Sequence, residues 1–278
     1  MANDKRSETL AEFRQMMDEA LRTHDSWLAL AGLFWLKPGS NTIGSDKNAE
    51  VVLPAAHAPA LLGSIEMEGE AVRLRIEPPN KVKIDGEDTA TAVLAPDTSG
   101  AATTVHFGPL TWMVIERGGR LGIRLWDNSR PEMHSFPGRS WFPERPDLSV
   151  EASFVPDEGA QPLRIENTIG DVELVPAAGR LIFDIQGREL ALQAMGDPGA
   201  GLSILFKDLT NGETTYAPGR YLATEAVENG KVVVDFNRAY NPPCAFTAFA
   251  TCPLPPLENQ LPIRVEAGER LPDGIPAH

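Results

Sequence analysis

Apolar side chains at Leu10, Phe13, Met16, Met17, Ala20 and Leu21 recur three and four residues apart, a spacing that paints one face of a helix. The stretch Ser7 to Arg22 is therefore expected to be an amphipathic helix that packs its stripe on its own domain, a dimer contact being the other use of such a face. From Ser26 the texture changes to short apolar or alternating runs broken by Gly, Pro, Asn and Asp. Thr42-Ile43-Gly44, Val51 to Leu53, Ala71 to Ile76, Lys81 to Ile84, Thr111 to Ile115 and Leu121 to Trp126 read as strands of a sandwich. The last two are joined through Arg117-Gly118-Gly119-Arg120, a hairpin connection, and Asp85-Gly86 marks another tight turn.

Between Asn128 and Asp147 stand Pro131, Pro137, Pro143 and Pro146. Each removes a backbone donor, so this stretch is not a central strand. Phe136, Trp141 and Phe142 within it point to a connector tacked onto an apolar surface. Beyond it, Val150 to Phe154, Leu163 to Glu166, Leu181 to Ile185, Leu202 to Phe206 and Lys231 to Phe236 again read as strands. The expected architecture is all-β: an N-terminal helix over 1–25, a β-sandwich over 26–130, a proline-rich connector over 131–147 and a second β domain, a barrel or sandwich, over 148–278. No fixed period marks a propeller or solenoid.

The 278 residues carry 25 Lys and Arg against 39 Asp and Glu, a formal net charge of −14. That field repels phosphate backbones and anionic lipid, and no Lys/Arg run opposes it, so neither nucleic acid nor a membrane is an expected partner. The apolar stretch Trp27 to Leu36 is about half the length a bilayer span needs, and the polar start with Asn3, Asp4 and Glu8 is unlike a signal peptide. A cytoplasmic protein is expected. Cys244 and Cys252, with seven residues between them, form neither a CxxC motif nor a four-ligand zinc site. His24, His57, His106, His134 and His278 show no metal-binding spacing, so no metal is expected, and no motif names a cofactor. Gly118-Gly119 and Gly199-Ala200-Gly201 do not form a phosphate-cradling loop.

Two resemblances follow. Gly39-Ser40-Asn41-Thr42-Ile43-Gly44, then Glu50 to Pro54 and Ile84-Asp85-Gly86, resemble the opening of a forkhead-associated (FHA) β-sandwich. That family reads phosphothreonine with an Arg directly after Ile-Gly and a Ser/His loop further on. Here Ser45 and Ala58-Pro59-Ala60-Leu61 stand at those places, so the resemblance implies a scaffold without the phosphate chemistry, over about residues 27 to 127. In the second half, Asp208 to Tyr216, Gly219 to Leu222, Asp235 to Ala245, Cys252 to Asn259 and Ala267-Gly268-Glu269 resemble the DUF1684 family. Phe136-Pro137-Gly138 and Trp141-Phe142-Pro143 match its opening segment. The family is named for its unknown function, so the resemblance transfers no catalytic role.

The chemistry has to be read from the residues themselves. Asp235, Asn237, Tyr240 and Asn241 follow the strand that begins at Lys231, which places them at one rim of a sheet, where binding groups collect. Arg220 precedes Tyr221-Leu222 and suits a carboxylate, on Asp235 or on a ligand. The expectation is a small polar or anionic ligand, with hydrolysis or proton transfer as the chemistry such groups could perform on it: Arg220 as anion clamp, Asp235 as acid or base, Tyr240 as hydrogen-bond donor and Asn237 and Asn241 as orienting amides, supported by Arg238 and Tyr216. Cys244 is either a thiol nucleophile, a buried inert residue, or half of a bridge or shared metal site with Cys252. The competing reading of the same polar groups is that they cap turns around stiff Pro segments. A function of another class is a non-catalytic interaction module that docks a protein partner through the N-terminal half. Oligomeric state is not set by any of these features.

Overall fold

The computed structural model describes residues 2–157, 159 and 161–272, with side chains in the first helix from Leu10 onward; His278 lies outside the described residues. The chain divides into two compact units, one of residues 21–136 and one joining residues up to Ala20 with those from Pro137 on. The division falls inside the proline-rich stretch.

The unit of residues 21–136 holds two antiparallel-rich sheets built from β1 (Leu30–Trp35), β2 (Gly39–Gly44), β3 (Val51–Val52), β4 (Gly63–Glu68), β5 (Ala71–Ile76), β6 (Val82–Ile84), β7 (Glu87–Thr89), β8 (Thr91–Leu94), β9 (Val105–Phe107), β10 (Leu110–Arg117) and β11 (Arg120–Asp127). The sheet orders are β1-β11-β10-β9-β6-β7 and β3-β2-β4-β5-β8. Alternation does the sorting: in β5, Val72, Leu74 and Ile76 are buried while Arg73 and Arg75 are exposed. The inward residues, among them Ile43, Ile65, Leu74, Trp112, Val114 and Ile123, form one core between the sheets. A Cβ on Gly44 would stand 2.2 Å from the Ala60 carbonyl oxygen, so the close approach at the end of β2 requires glycine.

The other unit begins with α1 (Ala2–Arg22). Phe13 packs edge-on against Trp141 at 6.0 Å, Arg14 stacks on the same indole and donates to the Phe142 carbonyl at 3.1 Å, and Asp18 accepts the Arg139 amide. A short helix, α2 (Pro131–Ser135), precedes this region in the chain. Then come β12 (Ser149–Pro156), β13 (Leu163–Glu166), β14 (Val172–Val175), β15 (Gly179–Ile185), β16 (Arg188–Asp197), β17 (Gly201–Phe206), β18 (Arg220–Ala223) and β19 (Lys231–Asp235). Six of them form an antiparallel sheet in the order β18-β17-β16-β15-β12-β19, and β13 pairs with β14 as a separate hairpin. β16 pairs with β15 through Ala194 and with β17 from Met195 on, so one long strand serves both neighbours with different halves. Leu181, Phe183, Leu192, Ile204, Phe206, Leu222, Val234 and Phe236 fill the inner side of this sheet. Leu163, Ile165 and Leu205 form a second cluster with Val175, Met195 and Tyr221 on its outer side, where the β13–β14 hairpin lies.

The chain is thus mostly β with an N-terminal helix. In that helix Met16 and Ala20 are exposed, and the covered face runs through Leu10, Phe13, Met17 and Leu21. The sequence pattern leaves out β1, β4, β7, β8, β9, β14 and β16. β4 has few apolar positions, and β16 is built of Glu, Leu, Ala, Gln and Met, residues that favour helices, yet it buries Leu190, Leu192 and Ala194 by strict alternation.

Candidate functional site

Strand parity decides where Arg220 goes. In β18, Arg220 and Leu222 face the core and Tyr221 faces the other way. The Arg220 guanidinium is fully buried; Nη2 donates to Asp208 Oδ2 at 2.7 Å and to the Val265 carbonyl at 2.9 Å, Nη1 donates to the carbonyls of Ala267 and Glu269, and the plane stacks on Phe206. Burial draws its pKa down and Asp208 opposes the change. Asp208 in turn accepts the amide and hydroxyl of Thr210. The arginine therefore ties the closing segment 265–269 onto the sheet.

Asp235 ends β19 and caps the following turn: Oδ1 accepts the Asn237 amide at 3.2 Å and its side-chain Nδ2 at 2.8 Å, while Arg238 Nε lies 3.8 Å from Oδ2. Arg238 also stacks over Phe13 at 5.2 Å. Asn237 is fully buried and brackets the backbone of one residue, accepting from the Arg145 amide at 2.7 Å and donating to the Arg145 carbonyl at 2.9 Å. Asn241 donates its amide to Glu269 Oε2 and its Nδ2 to the Arg270 carbonyl. Glu269, itself buried, also accepts from Arg139 Nη1 at 2.6 Å, and burial pushes its pKa up to about 7 against the pull of Arg139.

Cys244 and Cys252 are buried free thiols in a cluster with Ala250 and Tyr216. The Cys244 amide donates to Cys252 Sγ at 3.1 Å, and the Tyr216 hydroxyl donates to the Cys244 carbonyl at 2.9 Å. The hydrogen bond between the thiols draws the Cys244 pKa down and pushes that of Cys252 up. Burial pushes the Tyr216 phenol up.

Tyr240 pairs its backbone with Tyr221 in both directions, at 2.8 and 2.9 Å, which extends the edge at β18 and sets the two rings edge to face 5.9 Å apart. Both rings line a cavity of about 290 Å³ on the outer side of the sheet, walled by Ile165, Val175, Met195, Leu205 and Pro253, with Ser203 and Glu173 as further polar groups. The Tyr221 hydroxyl donates to the Pro253 carbonyl at 2.7 Å. The Tyr240 hydroxyl has no hydrogen-bond partner among the described residues, and burial pushes its pKa up. A more open groove of about 660 Å³ lies along Leu254 to Leu257, Arg164, Glu166 and Lys207.

The eight residues singled out in the sequence do not share one hollow. Tyr240 lines the cavity, Cys244 and Tyr216 sit in the thiol cluster, Asp235, Asn237 and Arg238 build one turn, and Arg220 and Asn241 hold the closing segment. Sequence reasoning passed over Tyr221, Asp208, Arg139 and Glu269 as functional groups, although Asp208, Tyr221 and Glu269 stand within the motifs that carry the resemblance. Among the described residues no three His, Cys, Asp or Glu side chains are grouped to hold a metal ion, and no helix is long and apolar enough to cross a membrane.

A family model described as "Protein of unknown function (DUF1684)" matches residues 134–270. The solution structure of an uncharacterized protein of Haloarcula marismortui is similar, with 33% identity over 51% of this chain and 80% of that one and a TM-score of 0.41. The N-terminal part is similar to FHA domains. One comes from a study of phosphothreonine-dependent FHA interactions, at 18% identity over 33% of this chain and 79% of that one, TM-score 0.23. Another is the FHA-2 domain of a Mycobacterium tuberculosis ABC transporter, at 20% identity over 32% of this chain and 77% of that one, TM-score 0.25. No curated protein matches the chain.

Proposed function

The chain belongs to the DUF1684 family, and from that premise we propose that its second half is a binding domain for a small, mainly apolar molecule held in the cavity between the β13–β14 hairpin and the outer face of β16–β18. The observation that carries this reading is the wall of that cavity: the half-buried rings of Tyr221 and Tyr240, set edge to face, close an otherwise mainly apolar hollow. The Tyr240 hydroxyl, spent on no protein group among the described residues, is free to bond a guest. A volume of about 290 Å³ lies at the lower edge of ordinary ligand sites, which are mostly apolar with a few placed polar groups.

The wall sets the ligand class. Met195, Leu205, Ile165 and the crossed rings of Tyr221 and Tyr240 favour an aromatic or branched aliphatic body, and the Tyr240 hydroxyl favours one hydrogen-bonding group upon it. This departs from an anionic ligand, because Arg220, the clamp expected from the sequence, spends its charge on Asp208 in the core. The reading is one of binding and assigns no reaction.

Phenol is the probe. Saturation-transfer NMR should show transfer from the full-length protein to phenol, at least threefold reduced by Met195→Trp, which fills the cavity from β16. Transfer of equal strength in both proteins, or none in either, would overturn the assignment.

One observation favours a second use, in the N-terminal half. β8 is an edge strand, and beside it Arg73 and Arg75 of β5, the exposed Val93 and, on the far side, Glu66 of β4 line a groove of about 360 Å³. Such an edge accepts an extended acidic peptide as an added strand. Amide shifts confined to β5 and β8 on adding a Glu- and Val-rich peptide support this docking, and unchanged spectra count against it.

A further inference from the structure

We propose that Cys244 and Cys252 are a redox-active dithiol that a small peroxide closes to an intramolecular disulfide. The pairing is built by the fold. The short turn Pro243–Ala245 and the chain before Pro253 bring together two residues eight positions apart, and the Cys244 amide points at Cys252 Sγ from 3.1 Å. Both cysteines lie outside the strands in one buried cluster, so closing the bond asks for side-chain rotation and no shift of a strand. They stand 6% and 4% exposed, which excludes a protein oxidant and leaves a small one. Tyr221, in contact with Cys252, and Pro253, next to it in the chain, are walls of the 290 Å³ cavity, which offers such a molecule a path.

The environment distinguishes the two sulfurs. Its neighbour Cys252 favours the Cys244 thiolate, while Cys252 keeps its proton. The Cys244 thiolate attacks one oxygen of hydrogen peroxide; the S–O bond forms, the O–O bond breaks, and the departing hydroxide takes the proton that Cys244 released to become water. The Cys252 sulfur then attacks the sulfenic sulfur. The S–S bond forms, the S–O bond breaks, and hydroxide leaves with the Cys252 proton as a second water. Two thiols lose two electrons and one peroxide gains them. The step requires no ligand in the cavity, so it stands whether or not phenol binds.

The test treats reduced full-length protein with hydrogen peroxide, quenches with acid, alkylates in denaturant and weighs the intact chain. The expected product has lost two hydrogens and takes up no alkylating agent. In Cys252→Ser the reaction should halt at a sulfenic acid on Cys244 that dimedone traps, and Cys244→Ser should give at least tenfold less adduct. Full alkylation of both cysteines after peroxide, or sulfinic acids without a disulfide, would overturn the proposal from the natural chain alone, even if a serine variant failed to fold.

Discussion

Arg220 and Asp208 form an ion pair at 2.7 Å with both side chains wholly withdrawn from solvent. Such a pair is costly to assemble and far more costly to halve, because the survivor is a buried charge without its counter-ion. The pair, together with the carbonyls of Val265 and Ala267, explains why polar residues crowd the end of this chain.

Asp208→Asn is therefore expected to lower unfolding free energy by about 3 to 5 kcal/mol, read from urea denaturation. Arg220→Met should cost a similar amount. The double variant should recover part of the loss, since no unpaired charge remains. Single variants that unfold at the same urea concentration as the natural protein would show that the pair carries no such weight.

Glu269 predicts a pH dependence of stability. Its folded-state pKa of about 7 stands above the ordinary value of 4.5, so the folded state binds the extra proton. The resulting stability is fully present below about pH 4.5 and is lost as pH rises through about 7. That difference corresponds to roughly 3 kcal/mol. Glu269→Gln, which mimics the protonated form, should be the more stable protein at pH 8 and should lose its advantage at pH 5. Parallel stability curves for the two proteins from pH 4.5 to 8 would sink this assignment.

Asn237 clasps the backbone of Arg145 from both sides, accepting from its amide and donating to its carbonyl. Asn237→Ala leaves two peptide groups without partners and is expected to cost about 2 kcal/mol. Asn237→Asp keeps the acceptor and should cost less. Chemical denaturation ranks the three, and an Ala variant as stable as the parent would contradict the clasp.

The two cavity tyrosines should respond differently to losing their hydroxyls. Tyr221 donates to the Pro253 carbonyl, so Tyr221→Phe is expected to cost about 1 kcal/mol. Tyr240 has no such partner, so Tyr240→Phe should change stability by less than about 0.5 kcal/mol while weakening phenol binding. Equal losses for both variants in thermal denaturation would mean that the Tyr240 hydroxyl is engaged in the fold.

Local pattern determined a good deal of this protein. Alternation at Ala71 to Ile76 and the Gly-Gly turn at 118–119 were enough to mark strands and a hairpin, because the signals lie within a few residues of one another. Periodicity likewise located the N-terminal helix. What the sequence could not decide was which side of β18 faces the core. A strand turns successive side chains to opposite faces whichever way it is laid down, and only packing against Phe206 and Asp208 sent Arg220 inward and Tyr221 out to the cavity. The same holds for Glu269, 130 residues from Arg139, and for the hairpin that covers Tyr221: their meaning lies in contacts between segments distant in the chain, which the tertiary structure alone brings together.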